Sequence, residues 1–488
     1  MSGCMELFRR TAGAIMRPAR VQVHRDTPCH EVARQMAELG ESCAVVVDGR
    51  RIRGLVSARD MLRVPAEHLS PETPIARCLS PGPPLLIRRG MPVYQVLGLL
   101  QQQRQQQAAV VTGDGGLGGV IHETDCLRSS LEDVAHRFHR LLPGDSGATL
   151  ANARAQQPEL LAELMRHGLD GHQIQEVVSH LNDDIHHRAV ALARDAMEQD
   201  GWGQPPHPFV LILMGSAGRM ESFLDPDQDN GLVIADYPDA EHGAVDRYFA
   251  ELARRVTGLL DHSGIRLCSG NVMATNPLWR KTLSQWHQQI QGWRRRRSPQ
   301  GFLQSNILLD CRGVAGDMAL ARAMRGDLIA ELSGSATFVR SLTLNESVRD
   351  VGLGWFDRLM TDTGDSAHAG EIDLKRYGIM PIVEVARLYG LAHGLEATST
   401  PARLDALRVQ GILSDDDSEG LKAAHAFMAE LVFRQQIQDR AAGRPPGKHV
   451  SPAALSRRDR EALVRSLKKS QAMVRKLGRD LAGGTEYA

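Results

Sequence analysis

Five residues in the middle of the chain, Gly215, Ser216, Arg219, Asp227 and Asp229, have the types and spacing to handle a polyphosphate. They follow an apolar run, Phe209 to Met214, that predicts a buried strand, and they precede a second such run, Leu232 to Ala235. Glycines directly after a strand let backbone N–H groups approach a phosphate, Ser216 adds a hydroxyl donor, and Arg219 is expected to clamp the charge. Side chains two apart on a strand share a face, so Asp227 and Asp229 are expected to point together while Gln228 and Asn230 point away. Two such carboxylates repel each other. A shared Mg²⁺ (or Mn²⁺) removes that penalty and binds triphosphate oxygens. The chemistry that follows is metal-assisted attack of an acceptor hydroxyl on the α-phosphorus of a nucleoside triphosphate, releasing pyrophosphate. The competing reading is an acidic β-turn helped by Pro226 and the Asn230-Gly231 pair. The Gly-Ser turn at the end of a buried strand favours the metal site.

The elements that must position these residues lie on both sides. At 488 residues the chain exceeds one core and predicts about three domains. Lys+Arg and Asp+Glu both total 58, a formal net charge of +0, so nothing global recruits nucleic acid or an anionic membrane. The seven cysteines are scattered without a CxxC, which argues against a disulfide framework or a thiolate zinc site and for a reducing cytoplasm. No apolar run reaches the length of a membrane span, and no signal-like segment follows Arg9 and Arg10.

An internal repeat occupies the N-terminal quarter. Residues 17–66 run through a helix (Glu31 to Leu39), a strand (Cys43 to Val47), the turn Asp48-Gly49 and a close, Gly54 to Asp60. Residues 75–130 repeat that order with a helix from Val93, the strand Ala108 to Val111, the turn Gly113-Asp114-Gly115 and the close Gly119 to Asp125. Each closing Asp falls where a strand ends and a helix begins, a capping position in its own right. Residues 131–200 read as a helical linker, with Val177, Val178, Leu181, Ile185, Val190 and Leu192 on one face; Gly and Pro residues at 201–208 end it. Residues 201–340 form the α/β domain that carries the site. Residues 341–488 turn helical, with Leu391, Leu395, Leu404, Leu407, Leu413, Leu421, Phe427, Leu431 and Phe433 as core positions and a final helix from Arg457 to Leu481.

The doubled Gly-x-x-x-x-x-Asp ending resembles a tandem of cystathionine-β-synthase (CBS) domains. That resemblance implies an adenine nucleotide effector, with Asp60 and Asp125 on ribose, Ser57 near phosphate and a homodimer formed through the pair. His122 stands where the second repeat would need a counterpart of Ser57. The run from Gly215 to Asp229, with Glu221 between, is similar to the signature of PII-uridylyltransferase-like nucleotidyltransferases, in the bacterial subgroup that carries CBS domains. Asn182-Asp183, Gly270 to Pro277, Asp310-Cys311-Arg312, Gly316-Asp317 and Ile372 to Arg376 agree with it. The resemblance implies an α/β plus α architecture: tandem CBS domains, a small mixed-sheet nucleotidyltransferase domain and a C-terminal helical bundle that shapes an acceptor site. The acceptor would be a protein, a PII-like one included, or a small-molecule hydroxyl. The fold usually supplies a third metal carboxylate from the strand Ile265 to Cys268, where Cys268 stands instead. Asp310 is either the substitute ligand or a partner of Arg312. A catalytically silent nucleotide-binding module is the alternative.

Three features carry less. Arg294 to Arg297 lacks interleaved aromatics and reads as a solvated loop, not a nucleic-acid face. His186-His187 cannot share a helix face and predicts no zinc. No His-Asp dipeptide occurs, so the hydrolase domain that reverses uridylylation is not expected.

Overall fold

Each half of the N-terminal repeat builds a three-stranded sheet of one topology. In the first, β1 (Gln22–His24) pairs parallel with β2 (Cys43–Asp48), which pairs antiparallel with β3 (Arg51–Ser57); α1 (Cys29–Leu39) crosses from β1 to β2. In the second, β4 (Leu86–Arg88), β5 (Gln107–Val111) and β6 (Leu117–His122) repeat the order, with α3 (Val93–Gln102) as the crossover. The short helices α2 (Ala58–Met61) and α4 (Glu123–Leu127) close the two halves. α1 stops at Gly40, whose left-handed backbone (φ 65) lets its N–H reach the carbonyls of Ala37 and Met36. Val45 of β2 and Val120 of β6 share one small core, so the two sheets pack together. The chain entering the first repeat crosses to the second: Arg17 and Val120 exchange backbone hydrogen bonds at 2.8 and 2.9 Å.

This computed structural model describes residues 11–127 apart from 50, 68, 80–83, 104 and 114, and residues 147–483 apart from 167, 168, 346–350 and 363–367. Cys4, Arg9, Arg10 and the first part of the expected linker, 131–146, lie outside the described residues. The chain divides into two compact units, residues 1–143 and 144–488.

The second unit is built on a four-stranded mixed sheet of order β10-β7-β8-β9. Its strands are β7 (Phe209–Leu213), β8 (Asn230–Ile234), β9 (Arg280–Thr282) and β10 (Arg312–Gly316); only the β8–β9 pairing is parallel. β7 and β8 are buried along their whole length, as inner strands with continuous apolar runs should be. One face packs on α6 (Gly171–Gln199) and α8 (His242–His262) through Ile185, Ala189, Phe249 and Val256. The expected connecting helices are therefore corrected: α5 (Gly147–Arg166) and α6 are part of this core, because α6 is apolar toward the sheet. α6 begins with a capping box at Asp170 and Gln173. Trp286, on α9 (Leu283–Arg296), is fully buried and donates its indole N–H to the Leu232 carbonyl at 3.1 Å.

Helices α11 (Met318–Ser333) and α12 (Ala336–Asn345) lead into a helical domain of α13 (Met380–Ala392), α14 (Thr400–Val409), α15 (Asp415–Ala441) and α16 (Arg457–Ala482). Of its expected core positions all are buried except Phe427, which is half-buried. The domain is not purely helical. A two-stranded ribbon of β11 (Ile372–Asp373) and β12 (His449–Val450) precedes a single π-turn, Lys375–Ile379. Among the described residues no helix is long and apolar enough to cross a membrane.

Ser57 and Asp60 form a reciprocal cap. Asp60 Oδ2 accepts from the Ser57 N–H (2.8 Å) and hydroxyl (2.6 Å), and Ser57 Oγ accepts from the Asp60 N–H (3.1 Å). Ser57→Ala is thus expected to destabilise the N-terminal unit by about 0.5–2 kcal/mol, read as a lower urea midpoint with unchanged slope. A midpoint within error of the parent would show that the cap contributes nothing.

Candidate functional site

The turn after β7 is shaped by two close approaches. Met214 donates its N–H to the Asp229 carbonyl at 2.9 Å, which sets the residues before β8 alongside the turn. Gly215 adopts a positive φ of 56, and a Cβ there would lie 2.7 Å from Asp229 Oδ2. Gly218 is more confined: a Cβ would meet the Asp310 carbonyl oxygen at 1.9 Å. The glycines of this motif therefore admit the chain's own groups, the Asp229 carboxylate at Gly215 and the Asp310 backbone at Gly218. Ser216 is half-exposed at the head of the four-residue helix α7 (Gly215–Gly218).

Asp227 and Asp229 precede β8, with Asp227 in an isolated bridge to Arg266. The alternation is clear in the burial. Gln228 and Asn230 are each 1% exposed, with the Gln228 amide donating to the carbonyls of Thr257 (3.1 Å) and Ile265 (2.9 Å), and Asn230 Oδ1 accepting from the Ala274 N–H (2.9 Å). Asp227 is exposed and lines a cavity of about 590 Å³ between this edge and the helical domain. Burial pushes Asp229 above the usual carboxylate value and Asp227 adds to that; the Cys268 thiol, hydrogen-bonded to Asp229, and Lys375 work the other way. No continuous strand runs from Ile265 to Cys268, only the bridge at Arg266.

Two expected roles are corrected by the packing. Arg219 is 4% exposed and donates to Glu221 Oε2 and Asp310 Oδ2, each at 2.6 Å, so it is committed inside the protein and is not a phosphate clamp. Asp310 is 0% exposed and is held by Arg219, by Arg387 of α13 (2.7 and 3.2 Å) and by Arg403 of α14 (2.7 Å). Both its oxygens are taken, so it is neither a metal ligand nor the partner of Arg312, which pairs with Asp183 at 2.6 Å. Burial alone would raise Asp310; Arg387, Arg219 and Arg403 hold it far below the ordinary carboxylate value. Glu221 is likewise held low by Arg219 against its burial, and its other oxygen accepts the N–H of Thr400 at 2.7 Å. Among the described residues, no group of three or more His, Cys, Asp or Glu side chains is arranged to hold a metal ion.

Loop 219–225, which joins the turn to the aspartates, is fixed from three helices. Gln175 donates to the Glu221 carbonyl (3.2 Å), Ser179 Oγ accepts from Ser222 N–H (3.0 Å), Gln436 Oε1 accepts from Leu224 N–H (3.1 Å), and Arg154 reaches the Leu224 carbonyl. His186 bonds the Asn182 carbonyl within α6, and burial drops its pKa to about 4. Arg294 pairs with Glu331 at 2.6 Å, and Arg297 caps α9 in the left-handed region.

Residues 155–300 match the model of the family described as "Putative nucleotidyltransferase DUF294", residues 336–481 that of the "Putative nucleotidyltransferase substrate binding domain", and residues 12–67 that of the CBS domain. The chain thus joins a stretch that matches the CBS domain to two stretches that match models described under that nucleotidyltransferase family name. Two curated relatives are bifunctional glutamine synthetase adenylyltransferase/adenylyl-removing enzymes. That of Stenotrophomonas maltophilia is 28% identical over 275 residues, covering 50% of this chain. That of Xanthomonas axonopodis pv. citri is 28% identical over 318 residues, covering 60%. The chain spans only 27% and 32% of their lengths. Both relatives are named as adenylyltransferases, and neither is named as a uridylyltransferase. Similar solved structures include the CBS domain of a bacterial CNNM/CorC family Mg²⁺ transporter in complex with ATP (21% identity, 26% of this chain and 91% of that chain, TM-score 0.24). A CBS domain protein from Pyrobaculum aerophilum complexed with AMP is another (23% identity, 24% and 88%, TM-score 0.22).

Sequence reasoning missed Arg387 and Arg403 as partners of Asp310. A signal was present: Glu384 and Arg387 interrupt an otherwise apolar helix, and charges on such a helix are buried only when paired. The sheet domain and the C-terminal helical domain meet through this cluster, which predicts that Asp310→Asn costs about 3–5 kcal/mol at neutral pH by leaving buried guanidinium groups uncompensated. Because the folded pKa of Asp310 lies below its unfolded value, its stabilisation is complete above the ordinary carboxylate range and is lost as pH falls toward the folded value. Parent and variant stabilities should converge in acid. Equal stability at neutral pH would refute the assignment.

Proposed function

We propose that this chain is a signal-responsive nucleotidyltransferase that moves a nucleoside monophosphate from a triphosphate to a hydroxyl on a protein or small molecule. The observation that carries this is the packing of the Asp229 carboxylate against Gly215 of the Gly-Ser turn, with Asp227, two residues before it, lining a cavity whose other wall is the C-terminal helical domain. Their chemistry fits Mg²⁺ or Mn²⁺: two hard oxygen donors on one side of the chain, with Asp227 open to the cavity. Two protein carboxylates suffice for an ion that takes its remaining ligands from phosphate and water. Such an ion, when bound, would neutralise charge on the phosphates during transfer. Ser216, half-exposed at the head of α7, would offer its hydroxyl to the phosphate chain, and the cavity leaves room for an acceptor. The names of the matched relatives make ATP the first donor to test; UTP as a second donor and a PII-like protein among the acceptors rest on the sequence resemblance alone.

A second reading has a specific basis. Arg266 lies 2.5 Å from Asp225 and 3.8 Å from Asp227, and Cys268 occupies the place of a third acid. A site so neutralised would bind nucleotide without transferring it. Single-turnover assays with labelled triphosphates separate the two.

The metal role is tested by thermal melts with and without Mg²⁺ and triphosphate. Asp227→Asn and Asp229→Asn should abolish most of the ligand-induced stabilisation seen in the parent and reduce turnover about tenfold or more. Since burial and Asp227 raise Asp229, its ionisation opposes folding, and the unliganded Asp229→Asn protein should melt no lower than the parent. Equal ligand shifts in parent and variants would make these aspartates turn residues.

For the N-terminal unit, an adenine nucleotide effector is supported by Asp125. One of its oxygens pairs with Arg17, while the other, Oδ2, is buried without a hydrogen-bond partner. A ribose hydroxyl would satisfy it. Asp125→Asn should weaken AMP binding by about 1–3 kcal/mol in calorimetry on the full chain; unchanged affinity would retire this role, and with it the parallel one given to Asp60.

A further inference from the structure

Four cations line the cavity beside Asp227, and three of them are already paired. Arg266 is held by Asp225 at 2.5 Å, Arg444 by Asp439 at 2.8 Å, and Lys448 by Asp373 at 3.1 Å. The fourth, Lys375, has no carboxylate within ion-pair distance among the described residues; it is half-buried, and desolvation draws its ammonium below the ordinary lysine value. It lies 6.0 Å from the centroid of the Phe223 ring and within electrostatic reach of both Asp227 and Asp229. An ammonium partly withdrawn from water with no ion-pair partner is costly and persists where something else requires it.

Its placement is built. Leu374, just before it, donates to the Lys448 carbonyl at 3.0 Å, and Asp373 Oδ1 accepts from the Arg376 N–H at 2.9 Å. Lys375 then opens the one π-turn of the described chain, packed by Gly378 against Met428 and Leu374. Such single π-turns recur at functional sites because they redirect side chains that a regular helix would place elsewhere.

We infer that Lys375, supplied by the substrate-binding domain, binds the phosphate chain of the triphosphate held at Asp227 and Asp229. The inference rests on the nucleotidyltransferase reading of those aspartates. A triphosphate is more negative than one divalent ion offsets, and two carboxylates deepen the deficit. The nearest arginine on the turn, Arg219, is committed to Glu221 and Asp310. Lysine supplies the missing point charge to phosphate oxygens. It also makes triphosphate binding dependent on both domains.

The test is calorimetric binding of ATP, UTP, GTP and CTP, each against its monophosphate, to the full chain with Mg²⁺. Parent, Asp229→Asn, Lys375→Gln, Lys375→Met and Lys375→Arg are compared, with unliganded melts as the folding control. The triphosphate binding lost in Asp229→Asn defines the share due to this site. For that share, Lys375→Gln and Lys375→Met should weaken affinity about tenfold or more, leave monophosphate affinity within about twofold, and melt no lower than the parent. Lys375→Arg should recover most of the loss. Parent-like triphosphate affinity in Lys375→Gln and Lys375→Met overturns the inference and leaves the metal site intact. An equal loss for mono- and triphosphate, or a lowered unliganded melt in both neutral variants, assigns Lys375 to structure and also overturns it. A parent with no triphosphate binding sensitive to Asp229→Asn overturns the site reading and the inference together.

Discussion

The buried carboxylate of Asp310, gripped by three guanidinium groups, is the constraint on which the second unit depends. Arg219 comes from the glycine-rich turn, Arg387 and Arg403 from two helices of the C-terminal helical domain, and Asp310 itself from the residue before Cys311 and β10. A charge removed from water is tolerated only with counter-charges and filled hydrogen-bonding capacity, and the domains must therefore meet in one geometry to satisfy it. Arg325 adds to the same seam, donating to the carbonyls of Leu309 (2.9 Å), Glu396 (2.7 Å) and Ala397 (2.9 Å). The site sits on the rim of this seam.

That arrangement divides the acidic residues of the site into two kinds. Asp310 and Glu221 are neutralised by arginines inside the protein and stabilise the fold. Asp229 is half-buried next to another carboxylate, with the Cys268 thiol as a hydrogen-bond donor and Lys375 and Arg219 at longer range, and its net upward shift works against folding until a cation arrives. The charge repulsion in the Asp227–Asp229 pair is sustained because loop 219–225 is tied down by α5, α6 and α15.

The N-terminal unit follows a different logic. Two short sheets of one topology, each too small to stand alone, bury their exposed apolar faces against each other around Val45 and Val120. The closing residues of the two halves have diverged: Ser57 and Asp60 cap each other, whereas Asp125 is shared with Arg17 from the entering chain and His122 is partly desolvated.

What the sequence by itself determined is whatever follows from local period and steric demand. The doubled helix-strand-turn-strand order, the apolar strands read at Phe209 to Met214 and Leu232 to Ala235, the burial of Gln228 and Asn230 in alternation with the less buried Asp227 and Asp229, and the closing helix from Arg457 all follow from patterns of two or 3.6 residues. Tertiary structure alone decided the fate of Arg219 and Asp310. Both have the chemistry of site residues in sequence, but their partners, Arg387 and Arg403, lie 77 and 93 positions from Asp310. The same holds for α6, whose apolar face reads equally well as a linker or as the floor of a sheet, and for Lys375, whose lack of a counter-ion exists only once the cavity closes around it. Charge pairing and burial are set by which elements meet, and no local period encodes that.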